Sequence, residues 1–474
     1  MIALYPWKFD RTHIENIFSK TPMQKYISLL FAAGLAGCAA YHPSPLSTRS
    51  NATRDISHIV VNAADMPLPE LAAHPFDPDD GLDMTEVAML AVANNPQLKI
   101  ARDDLGISHA QAFAAGLLPD PQLGIARDSP RNADSGSING FNLGLSYNVN
   151  GLLTRSAGKR AAQATVQQTD LNLLWQEWQV VSGARLLFVR NMAQQKLLGI
   201  LQQEHELLAA RYAATDQAAR LGEVTLDTAN LDLAALQNME TTINDLSRQI
   251  NTNRHALNDL LGLSPDTRLL LVGSADIPSL DEAKIQQNIA HLAQRRPDLR
   301  ALEFGYASQE QRLRMSILAQ FPVLNIGLTR ARDTFGVSTQ GVGMTLSLPI
   351  FNGNRGNIAI EQATRQKLHD EYQLRINTAT TEIARILQDQ QLLELQLHNA
   401  ERGETALGVA ASNAQSAFAV GNIDSLMYTN LRNAHLAKQA EAILIKQTLL
   451  EQRVALLTLL GGELPETALA EKKE

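Results

Sequence analysis

The chain has 474 residues, a formal net charge of −8 and one cysteine. That length exceeds a typical single domain, the charge has the wrong sign for a nucleic-acid binder, and one cysteine excludes a disulfide framework or a multi-cysteine metal site. Hydrophobic residues make up 45% of the chain but aromatics only 5% and charged residues 19%, so Ala, Leu and Gln dominate and long helices are expected.

Residues 26–37 read YISLLFAAGLAG, follow Lys20 and Lys25, and precede Cys38. A basic flank, a short apolar stretch and small residues describe a secretory signal over 1–37, too short to span as a mature helix. Leu35-Ala36-Gly37-Cys38 resembles the lipobox of bacterial lipoproteins. The resemblance implies a covalent lipid on Cys38 and no other cofactor, several acyl chains anchoring far better than one. By the same resemblance, Ala39 in place of Asp permits delivery to the outer membrane. The alternative is a lone cysteine in an apolar leader. Trp7, Asp10 and Glu15 are foreign to a leader, which leaves Met23 as a second candidate start. Residues 38–81 hold Pro43, Pro45, Pro67, Pro69, Pro75 and Pro78 and read as an extended tether.

Beyond the tether the sequence is written twice. Asn95-Pro96-Gln97-Leu98 corresponds to Arg296-Pro297-Asp298-Leu299, Pro121 to Pro322, Leu145-Ser146 to Leu346-Ser347, Gly222 to Gly421, and Leu260-Leu261-Gly262 to Leu459-Leu460-Gly461. A register held over so long a stretch marks a duplicated unit. The first copy covers 82–263 (a helix, a β-hairpin over 120–150, a helical hairpin over 157–262). A connector, 264–281, leads to the second copy, 282–462 (a helix, a β-hairpin over 321–351, a helical hairpin over 357–461), and a tail, 463–474.

In the first hairpin Phe141, Leu143, Leu145, Tyr147 and Val149 alternate with small or polar residues; in the second, Val342, Met344, Leu346, Leu348 and Ile350 do the same. Period two gives each hairpin one apolar face. Leu123 and Ile125, then Leu324, Ile326 and Leu328, predict the partner strands, joined by polar loops at 128–137 and 330–340. The helical hairpins show apolar residues at heptad spacing, Leu236, Ile243, Ile250 and Leu257 in one copy and Leu436, Ile443, Leu450 and Leu457 in the other, which suits coiled-coil packing as well as an ordinary bundle.

Four strands cannot close on themselves in lipid, where an open edge leaves backbone groups unpaired and barrels begin at about eight strands. Pooled between chains they could: two copies give eight strands and three give twelve, and only the larger ring leaves much lumen. The apolar faces would then meet lipid and the Asn/Ser/Gly faces water. A soluble sandwich with one wet face shows the same alternation.

Arg295-Arg296-Pro297-Asp298-Leu299, Phe321-Pro322 and Leu348-Pro349-Ile350-Phe351-Asn352-Gly353, in this order and duplicated, resemble the outer-membrane efflux factor (TolC-like) family, and most its lipoprotein branch. The resemblance spans about residues 82–462. It implies a mainly α fold with a membrane β-barrel contribution: a homotrimer whose 12-stranded barrel continues as an α-helical barrel in the periplasm. It also implies a passive exit duct fed by an inner-membrane pump through a periplasmic adaptor.

Two turns carry the remaining site expectations. Leu221-Gly222-Glu223-Val224-Thr225 and Val420-Gly421-Asn422-Ile423-Asp424 close the helical hairpins, with Thr225 and Asp424 as helix caps. The resemblance makes them adaptor-docking tips. It also places a gate just beyond the second glycine, where members carry acids; here those positions are Met427 and Asn430, with Asp227, Thr228 and Asp424 nearby. A ring of carboxylates there would favour cations, or these acids are simply caps or solvated. Enzyme signals are weak: Gly151 to Gly158-Lys159-Arg160 misses the phosphate-loop spacing, Gly341-Val-Gly343 lacks a third glycine, and none of the eleven histidines sits in an HExxH motif. The rival readings are a lipid-anchored coiled-coil scaffold without a channel and an envelope hydrolase. Within the duct reading, drugs are favoured over metal ions or protein as cargo.

Overall fold

The computed structural model describes residues 41–131 and 136–462. The signal segment, Cys38 and the tail 463–474 lie outside the described residues. Residues 41–51 belong to a separate unit and carry no helix or strand. The rest of the described chain folds as one unit. After a 3-10 turn at Ala63–Asp65, its first α-helix is the single turn α1 (Pro69–Ala72), followed by α2 (Met84–Asn94) and α3 (Pro96–Gly116). Strands β1 (Gln122–Asp128) and β2 (Gly140–Asn148) lead to α4 (Asn150–Arg220) and α5 (Leu226–Leu260). The second copy repeats this order as α6 (Glu282–Ala290), α7 (Leu292–Arg295), α8 (Pro297–Leu318), β3 (Val323–Arg332), β4 (Ser338–Ser347), α9 (Arg355–Ala419) and α10 (Ser425–Leu460).

The stretch expected to be a free tether departs from that expectation. Residues 52–82 fold back on the helices: Thr53 bridges Leu263 at the end of the first copy, Leu82 bridges Leu271 of the connector, and Leu71 is fully buried. The prolines do stop long helices here, but Leu71 and Leu82 hold enough apolar surface to dock, each worth roughly 1.5–3 kcal/mol when fully buried.

The opening helix of each copy is broken rather than continuous. Pro96 and Pro297 each stand at the first position of a helix, where the missing N–H costs nothing and the preceding residue is pushed out of helical geometry. Asn95 therefore ends α2 and caps α3, its Oδ1 accepting the N–H groups of Gln97 and Leu98. The α2 helix begins with a capping box between Asp83 and Glu86 and is buried from Glu86 to Val92. Against it pack Leu98 of α3, Val181, Ala184 and Phe188 of α4, and Leu257 of α5. A second core joins Ile285, Leu292 and Leu299 to Ile383 and Ile386 of α9 and to Leu456 and Leu460 of α10.

The α4 helix runs 71 residues and α9 runs 65; at about 1.5 Å per residue, 71 residues extend roughly 105 Å. Both begin earlier than the expected 157 and 357. Asn148 accepts the N–H of Asn150 and turns the chain straight from strand into helix, so Val149 lies in the junction and not in β2. In the second copy Pro349 has no N–H for a ladder, and β4 stops at Ser347, which leaves Leu348 and Ile350 outside the strand although still exposed. The loop expected over 330–340 shrinks to 333–337, because β3 and β4 pair out to Arg332 and Ser338.

The four strands form one antiparallel sheet in chain order, β1-β2-β3-β4. The β2–β3 pair joins the two copies, Phe141 opposite Arg332 and Asn148 opposite Asn325.

Candidate functional site

Pairing registers sort the sheet residues into two faces. On one stand Leu123 and Ile125 of β1, Phe141, Leu143, Leu145 and Tyr147 of β2, Leu324, Ile326 and Leu328 of β3, and Val342, Met344 and Leu346 of β4. Cross-strand neighbours such as Leu123–Leu145–Leu328–Val342 form continuous apolar rows. Among the described residues nothing covers them: Ile125, Val342 and Met344 are 76, 78 and 70% exposed. The opposite face holds Gly124, Asn142, Gly144, Ser146, Asn325, Gly327, Thr329, Gly341, Gly343 and Thr345. Small side chains allow tight inward curvature, and their amides and hydroxyls suit water. Among the described residues, the outer edges of β1 and β4 pair with no strand.

At the other end of the long helices lie the two turns. Gly222 and Gly421 have φ of +75° and +77°. Each closes a Schellman motif: the Glu223 N–H donates to the Ala218 carbonyl and the Gly222 N–H to Ala219, while Asn422 and Gly421 donate to Ala417 and Phe418. Only glycine adopts this geometry without strain. The following helices start on Thr225, whose hydroxyl accepts the Thr228 N–H, and Asp424, whose carboxylate accepts the Met427 N–H at 2.7 Å. Asp424 is thus a helix cap; Asp227 is an exposed first-turn acid and Thr228 is half-buried. Leu221, Glu223, Val224, Val420 and Asn422 are exposed, and Ile423 is half-buried. Both tips therefore present an apolar residue beside a free glycine.

Set back from the first tip is a buried polar group that sequence inspection missed. Asp232 of α5, 2% exposed, accepts hydrogen bonds from the Arg211 guanidinium and, at 2.9 Å, from the Thr215 hydroxyl. The same guanidinium donates to Asn430 Oδ1 of α10 at 3.3 Å. One arginine so ties the first helical hairpin to the second, beside the expected gate position. Arg211 and Asp232 are separated by the whole first turn, which hid the pair from motif reading.

Comparison with known proteins agrees with this geometry. Residues 288–462 match the family model described as outer membrane efflux protein. Over its second copy the chain is similar to outer membrane efflux proteins. Among similar proteins is the multidrug resistance outer membrane protein MdtQ of Escherichia coli O6:H1, 24% identical over 477 residues, covering 90% of this chain and 95% of the relative. Among solved structures, the Campylobacter jejuni CmeC outer membrane channel superposes with a TM-score of 0.67 at 18% identity, covering 91% of this chain and 95% of that one. The open state of the Neisseria gonorrhoeae MtrE outer membrane channel gives 0.65 at 16%, covering 90% and 97%. The fold is the expected one: mainly helical, with four strands in the chain gathered into one sheet among the described residues.

No described helix is long and apolar enough to cross a membrane. One cluster of metal-ligand type, His74, Asp83 and Glu86, is explained by local structure. Its carboxylates are spent on the capping box and on the Asp77 N–H, and His74 Nε2 lies 3.1 Å from Asp83.

Proposed function

We propose that three copies of the chain close their sheets into a 12-stranded barrel, continued by the paired helices as a passive exit duct. The observation that carries this is the exposed, unbroken apolar face spanning all four strands of a sheet with two unpaired edges. Such a sheet is stable in lipid only when copies of itself complete the ring. Energy would come from an inner-membrane pump, coupled through a periplasmic adaptor that grips the Leu221–Thr225 and Val420–Asp424 tips. The Arg211–Asn430 bond would restrain the entrance. Drug-like small molecules are the favoured cargo, in keeping with the multidrug resistance named for the MdtQ relative. Lipid on Cys38 would add an anchor.

Purified protein added to planar bilayers tests the duct directly: stepwise conductance is expected, and an electrically silent trimer would leave only a scaffold. Cys38→Ser should lose acylation and part of its membrane retention; unchanged acylation would refute the lipobox. L221D with V420D should reduce adaptor crosslinking while the trimer survives; undiminished crosslinking would put the docking site elsewhere.

A further inference from the structure

The apolar face of the sheet ends in arginine at its loop end. Arg127 lies opposite Phe141, which lies opposite Arg332; one row nearer the apolar band, Arg330 lies opposite Leu143. With strands about 4.8 Å apart and alternate residues about 6.7 Å apart, the three arginines leave the backbone within a patch about 12 Å across. All three are exposed. The Arg332 guanidinium sits 5.5 Å from the centre of the Phe141 ring. Among the described residues, neither Arg127 nor Arg330 has a carboxylate partner.

The described acids at this end point elsewhere. Asp128 pairs with Gly140 in the row of the opposite, polar face. Asp333 accepts the N–H groups of Phe335 and Val337, both at 2.9 Å. The outward face thus changes from apolar to unpaired positive charge within two rows.

Taking the wall as lipid-facing, as proposed above, its loop end is remote from the periplasmic helices and lies in the outer leaflet. Guanidinium forks bind phosphate oxygens two at a time, and Arg stems can lie along apolar surface while their heads reach the interface. We propose that Arg127, Arg330 and Arg332 form a binding site for a bis-phosphorylated glycolipid of the outer leaflet. Three chains would repeat the site around the barrel, and Phe141 would pack beneath the headgroup.

The test uses the full-length trimer reconstituted with lipid A or with phosphatidylglycerol as the anionic component, retained lipid being counted by native mass spectrometry. Wild type should retain lipid A in preference to phosphatidylglycerol. R127Q/R330Q/R332Q should retain less by about fivefold per guanidinium removed. Retention of lipid A by the triple variant at the wild-type level would overturn the site, and equal retention of phosphatidylglycerol would overturn its glycolipid specificity. Conductance of the same samples separates the two ideas: inserted, conducting protein without lipid A preference sinks only this site, while failure of wild type to insert sinks the barrel reading itself.

Discussion

The two copies meet one structural demand with different chemistry. In each, the last helix must end against the start of the first. Asn95 does this in the first copy, its Nδ2 donating to the Leu260 carbonyl at 2.7 Å. At the equivalent place Arg296 donates to the Leu459 carbonyl at 3.4 Å, while its other nitrogens bind both oxygens of Asp298, which also receives Arg375. Arg296 and Asp298 are 3 and 4% exposed. A small amide that doubles as a helix cap has thus been exchanged for a buried ion cluster. The comparison teaches that a duplicated backbone preserves where a bond is needed and leaves the donor free to change.

That contrast can be broken at either end. Asp298→Ala strands Arg296 in the interior without its partner, and loss of one member of a buried pair costs about 3–5 kcal/mol. Asn95→Ala removes a cap and one bond and should cost only about 1–2 kcal/mol. Denaturant unfolding of the two variants side by side decides the matter; equal losses would mean that the copies are not energetically distinct.

Glycines sharpen it further. At Gly262 and Gly461, both with positive φ, an added Cβ would lie 2.6 Å from the Asn94 carbonyl oxygen and 2.8 Å from that of Arg295. Gly222 and Gly421 have the same backbone sign but nothing within 4 Å. Gly262→Ala and Gly461→Ala should therefore cost at least about 2 kcal/mol, strain plus backbone clash, against about 1 kcal/mol for Gly222→Ala or Gly421→Ala. Thermal melts read the order; tip variants as unstable as the interior ones would refute it.

The smallest effect concerns the long helix of the first copy. Burial holds the Glu204 carboxyl above its ordinary value. The unfolded chain ionises first, so this group's stabilisation is complete below the ordinary glutamate range and is lost as pH rises through the raised value. Glu204→Gln should be slightly more stable than wild type at neutral pH, by under about 1 kcal/mol, and show a flatter profile on acidification. A melting profile parallel to wild type across that window would count against it.

Much of this was legible from residues alone because it is local. Period-two alternation located all four strands, and Gly222 and Gly421 marked both tips, since a left-handed helix end is a property of the few residues around it. Strand ends were less legible: whether Val149 or Leu348 continues a strand depends on Asn148 and Pro349, which act against the hydrophobic pattern. The Arg211–Asp232–Asn430 group was invisible, being assembled from three helices.

The sequence by itself determined the duplication, which faces of the strands are apolar, and where helices must stop, because side-chain period and backbone freedom are written residue by residue. Only the tertiary structure decided that β2 pairs with β3, that residues 52–81 dock, and which polar side chains meet between the hairpins. Those outcomes depend on contacts between residues far apart in the chain, which form only once long helices bring them together.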